Sequence, residues 1–285
     1  MRSALLTYTS RDSRRSITAV ADSRRMWKPS SMKRKLSENL KRTQDRIASA
    51  CARANRDPGE VRLVAVTKYA GIEIIRALLD IGVRDFGESR VQELTHRAAM
   101  LQESLVRRPL AADGPPPAPP RWHMIGHLQR NKVRPLLPWV EMIHSLDSLR
   151  LAEDLDAESA RLGRTIPVFL EINASGETSK EGVAVAAATH FVEQLNSLKH
   201  LELRGLMAMA PLSDDEAVIR NAFGRMRELF DEIVCERVCG PKFHDLSMGM
   251  SNDFEHAIEF GATYVRIGSA LFEGIELTSQ PASSE

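Results

Sequence analysis

Residues 62–69 read Arg-Leu-Val-Ala-Val-Thr-Lys-Tyr, and the choice of fold turns on them. Leu63 to Val66 make a short, unbroken apolar run, the pattern of a strand covered on both faces of a parallel sheet. Thr67 and Lys68 end the run, and Gly71 opens a helical pattern over 72–81. A buried strand followed directly by a helix is the first unit of an α/β chain, and such folds gather their chemistry at the carboxyl ends of the strands, where Lys68 stands. An amine partly desolvated by apolar neighbours has a lowered pKa and attacks carbonyl carbon to form a Schiff base. A solvated lysine where a strand meets its loop is the plainer alternative.

Outward from this stretch the alternation continues. Period and punctuation predict further strands over 83–86, 122–125, 140–144, 166–172, 201–206, 243–246 and 263–267. Helices are predicted over 91–106, 146–162, 183–198, 214–238 and 253–260. With the first strand this makes eight βα steps and predicts one parallel (β/α)8 barrel. A doubly wound sheet is the alternative that periodicity leaves open. The chain has 285 residues, enough for a single barrel of roughly 250 residues. Hydrophobic residues are 43 % and charged residues 27 %, which suits a globular domain able to bury a large core. No apolar stretch approaches the roughly 18 residues of a membrane span, so no membrane partner is expected.

The net charge of +1 conceals an asymmetry. Residues 1–35 hold ten Lys/Arg against Asp12 and Asp22, leaving 29 basic and 36 acidic residues in the rest. A mildly acidic body argues against nucleic-acid binding. The basic, Ser/Arg-rich segment 1–32 is expected to be disordered. A transit-like presequence, a basic arm and translation from a start upstream of Met26 or Met32 compete to explain it, and the last is favoured because helical periodicity starts just after Met32. Leu36, Leu40, Ile47, Ala48, Ala50 and Cys51 mark one face of that helix. The barrel is expected over 33–276 and a short tail over 277–285. Segment 109–120 carries six prolines and predicts a surface loop. Cys51, Cys235 and Cys239 are too few and scattered for a disulfide framework or a metal finger, so reduced thiols and a cytoplasmic location are expected.

Two turns near the end of the chain carry the next clue. Barrels often hold a phosphate on backbone N–H groups after strands seven and eight. Here those turns read Ser247-Met248-Gly249-Met250-Ser251 and Arg266-Ile267-Gly268-Ser269. Each alone is an ordinary Gly/Ser turn; both together, opposite a lysine closing strand one, form a constellation. Arg266 alternates with the apolar Val265 and Ile267 and so is predicted to point into the barrel mouth. A buried guanidinium there needs a partner, either an acidic side chain or a ring nitrogen of a ligand. His123 and His127 straddle a strand end and lack a third ligand, so no metal site is expected. The segment Ser175-Gly176-Glu177 reads as a loop, not as a nucleophile elbow.

The ordered segments VAVTKY, DFGESRVQEL, WHMIGHLQRNK, RGLMAM, DLSMGMS and YVRIGSALF, spanning about 36–274, resemble the pyridoxal phosphate homeostasis protein family. The resemblance implies a single (β/α)8 TIM barrel of the alanine racemase N-terminal type, preceded by a helix. It implies pyridoxal 5′-phosphate (PLP) joined to Lys68 as an internal aldimine. The phosphate would rest on Ser247, Ser251, Gly268 and Ser269, with Met250 beside the cofactor and Arg266 facing the pyridine nitrogen. Ser89 and Arg130 depart from the family's usual Asn and Ser at those positions. The implied role is cofactor buffering and delivery in vitamin B6 homeostasis, with PLP-dependent apoenzymes as acceptors and a monomer as the working form, a dimer staying open. A PLP-dependent racemase using Tyr69 or His127 as base, and a Schiff-base aldolase, are the catalytic alternatives.

Overall fold

The computed structural model describes residues 29–107, 118–174 and 181–277. Most of the proline-rich segment, the loop 175–180 and both chain ends lie outside the described residues. The chain begins with helix α1 (Pro29–Arg53) and then alternates β1 (Arg62–Val66), α2 (Ile72–Asp80), β2 (Asp85–Glu88), α3 (Val91–Val106), β3 (Arg121–Met124), α4 (Val133–Leu136) and β4 (Met142–Leu146). It continues with α5 (Leu149–Arg161), β5 (Ile166–Asn173), β6 (Val183–Ala184), α6 (Ala188–Leu195), β7 (Leu201–Met207), α7 (Glu216–Cys235), β8 (Asp245–Ser247), α8 (Phe254–Glu259) and β9 (Tyr264–Ile267). All strand pairings are parallel, and β1 pairs with both β2 and β9 while β4 pairs with β5. The sheet therefore closes on itself as an eight-stranded barrel, with β6 an outside appendage on β5. This is the (β/α)8 alternative; the doubly wound sheet is excluded by closure.

Several boundaries move. The helix expected over 183–198 is split, because Gly182 at φ 104° turns the chain so that Val183 pairs with Ile172 before α6 starts at Ala188. The second strand shifts to include Gly87, where a Cβ would press to 3.0 Å from Val64 and Ile125. Strand four shifts likewise, so that Leu146 belongs to β4 and α5 starts at Leu149.

The core has two shells. A large one lies between strands and helices and takes in Ala65, Val265 and Ile267. A small one, Val64, Met142, Phe169, Met207 and Tyr264, fills the barrel interior. Alternate residues of β9 thus face opposite ways, with Tyr264 inward and Val265 and Ile267 outward. Helix α1 buries Leu36, Leu40, Ile47 and Cys51 at helical spacing. It also fastens the end of the chain: the Asn39 amide donates to the carbonyls of Leu271 and Glu273, both at 3.0 Å. Arg46 pairs bidentately with Glu255, and Arg56 donates to the carbonyls of Ile258 and Ala262.

At the amino-terminal base of the barrel, ion pairs and hydrogen bonds form a rim. Arg121 pairs with Asp85 at 2.6 and 2.8 Å, Arg204 with Asp245 at 2.8 and 3.0 Å, and Arg62 donates to the Tyr264 hydroxyl at 2.9 Å. Among the described residues no helix is long and apolar enough to cross a membrane.

Candidate functional site

Lys68 follows β1 in the inward-facing parity of Val64, and so rises from the barrel mouth. Its backbone is fixed from below. The Thr67 N–H donates to the Gly87 carbonyl at 3.0 Å, its hydroxyl donates to Glu88 at 2.5 Å, and its carbonyl accepts from Arg97 at 2.7 Å. Arg97 closes this buried cluster by pairing with Glu88. Burial pushes the Glu88 carboxyl upward, opposed by Arg97 and the Thr67 hydroxyl. The lysine side chain itself is exposed, its amine 5.1 Å from the centre of the Tyr69 ring. The expected packing of the amine among buried apolar neighbours is not seen: the Tyr69 ring that it stands over is itself 61 % exposed.

The two Gly/Ser turns lie beside the end of β1, the strand that Lys68 follows. Gly268 abuts the end of β1: a Cβ there would lie 3.5 Å from the Val66 Cβ. The backbone N–H groups of Gly268 and Ala270 converge on one oxygen, the hydroxyl of Ser251, at 3.1 and 3.3 Å. Converging N–H donors of this kind form an anion nest. Gly249 lets the preceding turn bend, with φ at 94° and no space for a Cβ, which would meet Ala257 at 2.7 Å. The Met250 N–H donates to Asp253, whose carboxyl is pushed up by burial against the pull of that N–H and of Arg266. Met250 and Ser269 are exposed at the rim.

Arg266 does face inward, but one layer below the mouth, and it is buried. Its Nη1 donates to the carbonyl and hydroxyl of Ser247 at 2.8 and 2.7 Å, and Nη2 donates to the Ala208 carbonyl at 3.0 Å. Burial lowers its pKa to about 10, with Glu171 and Asp253 opposing, so it stays charged at neutral pH. Ser247, expected among the phosphate-holding hydroxyls, is fully buried beside this guanidinium and 2.8 Å from His144 Nδ1. The physical reason is register: Ser247 pairs with Met207 and Tyr264, both lining the interior.

No motif in the sequence points to what lies behind Ser247. His144 Nε2 is 3.0 Å from His123 Nδ1, and His123 Nε2 is 3.0 Å from Asp85. A chain of polar groups therefore runs through the barrel from Arg266 to Arg121. A histidine within each of the strands at 122–125 and 140–144 was the available signal. The His123 ring is engaged inside the barrel, whereas His127 is at the surface beside Asp147 and Glu181, at 3.1 and 3.3 Å. Also missed is Glu171 on β5, 4 % exposed, whose carboxyl is driven to about 7 by burial and by nearby Glu181 and Asp147. Arg130 is exposed and paired with Asp154 at 2.5 Å, which balances its charge, and Ser89 packs against Gly126.

A family description, alanine racemase N-terminal domain, matches residues 38–275. The pyridoxal phosphate homeostasis protein of Pseudomonas aeruginosa is 37 % identical over 248 residues, covering 87 % of this chain and 99 % of that one. PipY of Synechococcus elongatus, solved with PLP bound, superposes with a TM-score of 0.65 at 34 % identity, over 79 % of this chain and 99 % of that one. Alanine racemase of Clostridium difficile shares the fold at 14 % identity and a TM-score of 0.63, over 84 % of this chain and 56 % of that one. On this agreement of motif order, barrel and relatives, the chain belongs to the family of pyridoxal phosphate homeostasis proteins.

Proposed function

We propose that this protein binds pyridoxal 5′-phosphate at the barrel mouth and serves as its holder and donor within the cytoplasm, not as a catalyst. The observation that carries the reading is the nest: two N–H groups converge on one oxygen at Gly268 and Ala270, beside the strand that carries an exposed lysine. That set fits the group, since it offers donors for a phosphate and a primary amine for an aldehyde. The cofactor supplies, when bound, an aldehyde that condenses reversibly with an amine, and a ring able to withdraw electrons when its nitrogen is protonated.

Each residue then has a task. Lys68 is the amine. Ser251, Gly268 and Ser269 hold the phosphate, and Met250 covers the exposed side. Arg266, charged at neutral pH and tied to the ends of β7 and β8, would face the ring nitrogen and disfavour a proton there, because two positive charges in proximity raise each other's cost. Ser247 serves Arg266 and not the phosphate. A ring kept unprotonated is a poor electron sink, which supports storage over carbanion chemistry. His127, one base a racemase reading would use, is held by Asp147 and Glu181. The acceptors are PLP-dependent apoenzymes.

The test is an absorption spectrum of purified protein after incubation with PLP, with and without Lys68→Ala. Wild type gains the long-wavelength band of lysine-bound PLP and borohydride fixes the added mass on the peptide containing Lys68; Lys68→Ala gains neither. A wild type that stays colourless ends the reading. Exchange of amino-acid α-protons in heavy water, dependent on Lys68, would make the protein an enzyme instead.

A further inference from the structure

The chain of groups behind Arg266 has a determinate order of protons. Asp85 is held as a carboxylate: burial pushes it upward, but His123 and Arg121 outweigh burial and bring it to about 2. A carboxylate only accepts, so His123 Nε2 carries a proton and donates. At the other end the guanidinium only donates, so Ser247 Oγ accepts from Arg266. Among the described contacts, the proton of Ser247 has one acceptor in reach, His144 Nδ1 at 2.8 Å. His144 is neutral, burial in the interior holding it well below its ordinary range, so its single proton sits on Nε2 and donates to His123 Nδ1. The Ser247 end thus sets the order and the Asp85 end agrees with it: every donor points from Arg266 toward Asp85. Were His144 protonated on Nδ1 instead, the Ser247 hydroxyl proton would have no partner in a fully buried place.

We propose that His144 is a positioning residue for Arg266. By taking the proton of Ser247 it leaves that oxygen able only to accept from the guanidinium, and so fixes where the charge at the base of the mouth is aimed. The inference rests on the reading of Arg266 as the group facing the ring nitrogen of PLP. Anchorage is relayed from Asp85 and Arg121 at the opposite rim through His123. A packing role is the rival account, since the His144 ring also meets Phe169 and Tyr264 with ring centres 4.7 and 5.7 Å away.

Two variants separate these accounts. His144→Phe keeps an aromatic ring against Phe169 and Tyr264 but cannot accept the Ser247 proton. His144→Asn loses volume but places a carbonyl oxygen close to the former Nδ1. Positioning predicts opposite rank orders. His144→Phe binds PLP roughly tenfold more weakly than wild type and His144→Asn within about threefold, although Asn has the lower melting temperature. Affinity that follows melting temperature, or equals that of wild type in both variants, overturns the proposal.

Nitrogen-15 NMR of histidine-labelled wild type, recorded without PLP, tests the proton order even if a variant does not fold. Both His123 and His144 show Nε2 protonated and Nδ1 bare; a proton on His144 Nδ1 overturns the proposal. A wild type with this pattern that nevertheless does not bind PLP removes the functional reading and the cofactor role of His144 together. A wild type that binds PLP with the wrong pattern removes this inference alone.

Discussion

The two ends of one barrel are built on different principles. At the base, charged side chains are consumed by one another: Asp85 by Arg121 and His123, Asp245 by Arg204, the Tyr264 hydroxyl by Arg62. At the mouth, Lys68, Tyr69, Met250 and Ser269 face solvent, and two N–H groups turn toward a single hydroxyl. A rim that has satisfied its polar groups stabilises the fold; a rim that leaves an amine and apolar surface accessible, beside N–H groups that share one neutral hydroxyl, is poised for a ligand. The buried histidines join the two, so the mouth is not wholly independent of the base.

The sharpest way to break this contrast is to mutate one rim and read the other. Lys68→Ala removes all lysine-bound PLP absorption yet leaves the urea unfolding midpoint where it was, because an exposed side chain contributes little to the fold. Asp85→Ala does the reverse in stability: it strands His123 and Arg121 and costs about 3 kcal/mol, measured by urea unfolding at neutral pH. Since the Asp85 carboxyl is depressed from 3.8 to about 2, its stabilisation is present above pH 4 and is lost as pH falls toward 2.

Glu171, just under the mouth, titrates in the opposite sense. Its folded value of about 7 exceeds the ordinary 4.5, so its contribution is intact below about pH 4.5, declines as the pH rises toward 7 and then levels off. Glu171→Gln removes that decline and is more stable than wild type at pH 8 by on the order of 2 kcal/mol, checked by unfolding across pH 4 to 9. Ser251→Ala has a smaller effect: two N–H groups lose their acceptor to partial solvation, a cost of about 1 kcal/mol, while PLP binding weakens by roughly tenfold. Arg130→Ser leaves both the unfolding midpoint and PLP binding unchanged, since its charge is spent on Asp154 at the surface.

Much of this was legible because period-2 and period-3.6 patterns are local. The alternation of Arg266 with Val265 and Ile267 is enough to turn the guanidinium into the barrel, and the periodicity over about 91–106 matches α3. What was not legible depends on register between distant strands. Ser247 reads as one more turn hydroxyl until its pairing with Tyr264 places it in the interior. His123 and His144 lie 21 residues apart and meet only because β3 and β4 are neighbours. The outward stance of Tyr69, with the Lys68 amine over its ring, has no sequence signature at all.

Helix α1 gives the architecture a last consequence. Its Asn39 and Arg46, with Arg56 just beyond its end, grip the segments that follow β8 and β9, so the opening and closing stretches of the barrel are stitched side by side. Lys68 and Gly268 stand 200 positions apart in the polypeptide, yet the β1–β9 seam sets Gly268 against Val66, two residues before the lysine. A growing chain on the ribosome owns the amine long before it owns the nest, and only the finished ring brings them together. Colour from captured PLP would then report barrel closure itself.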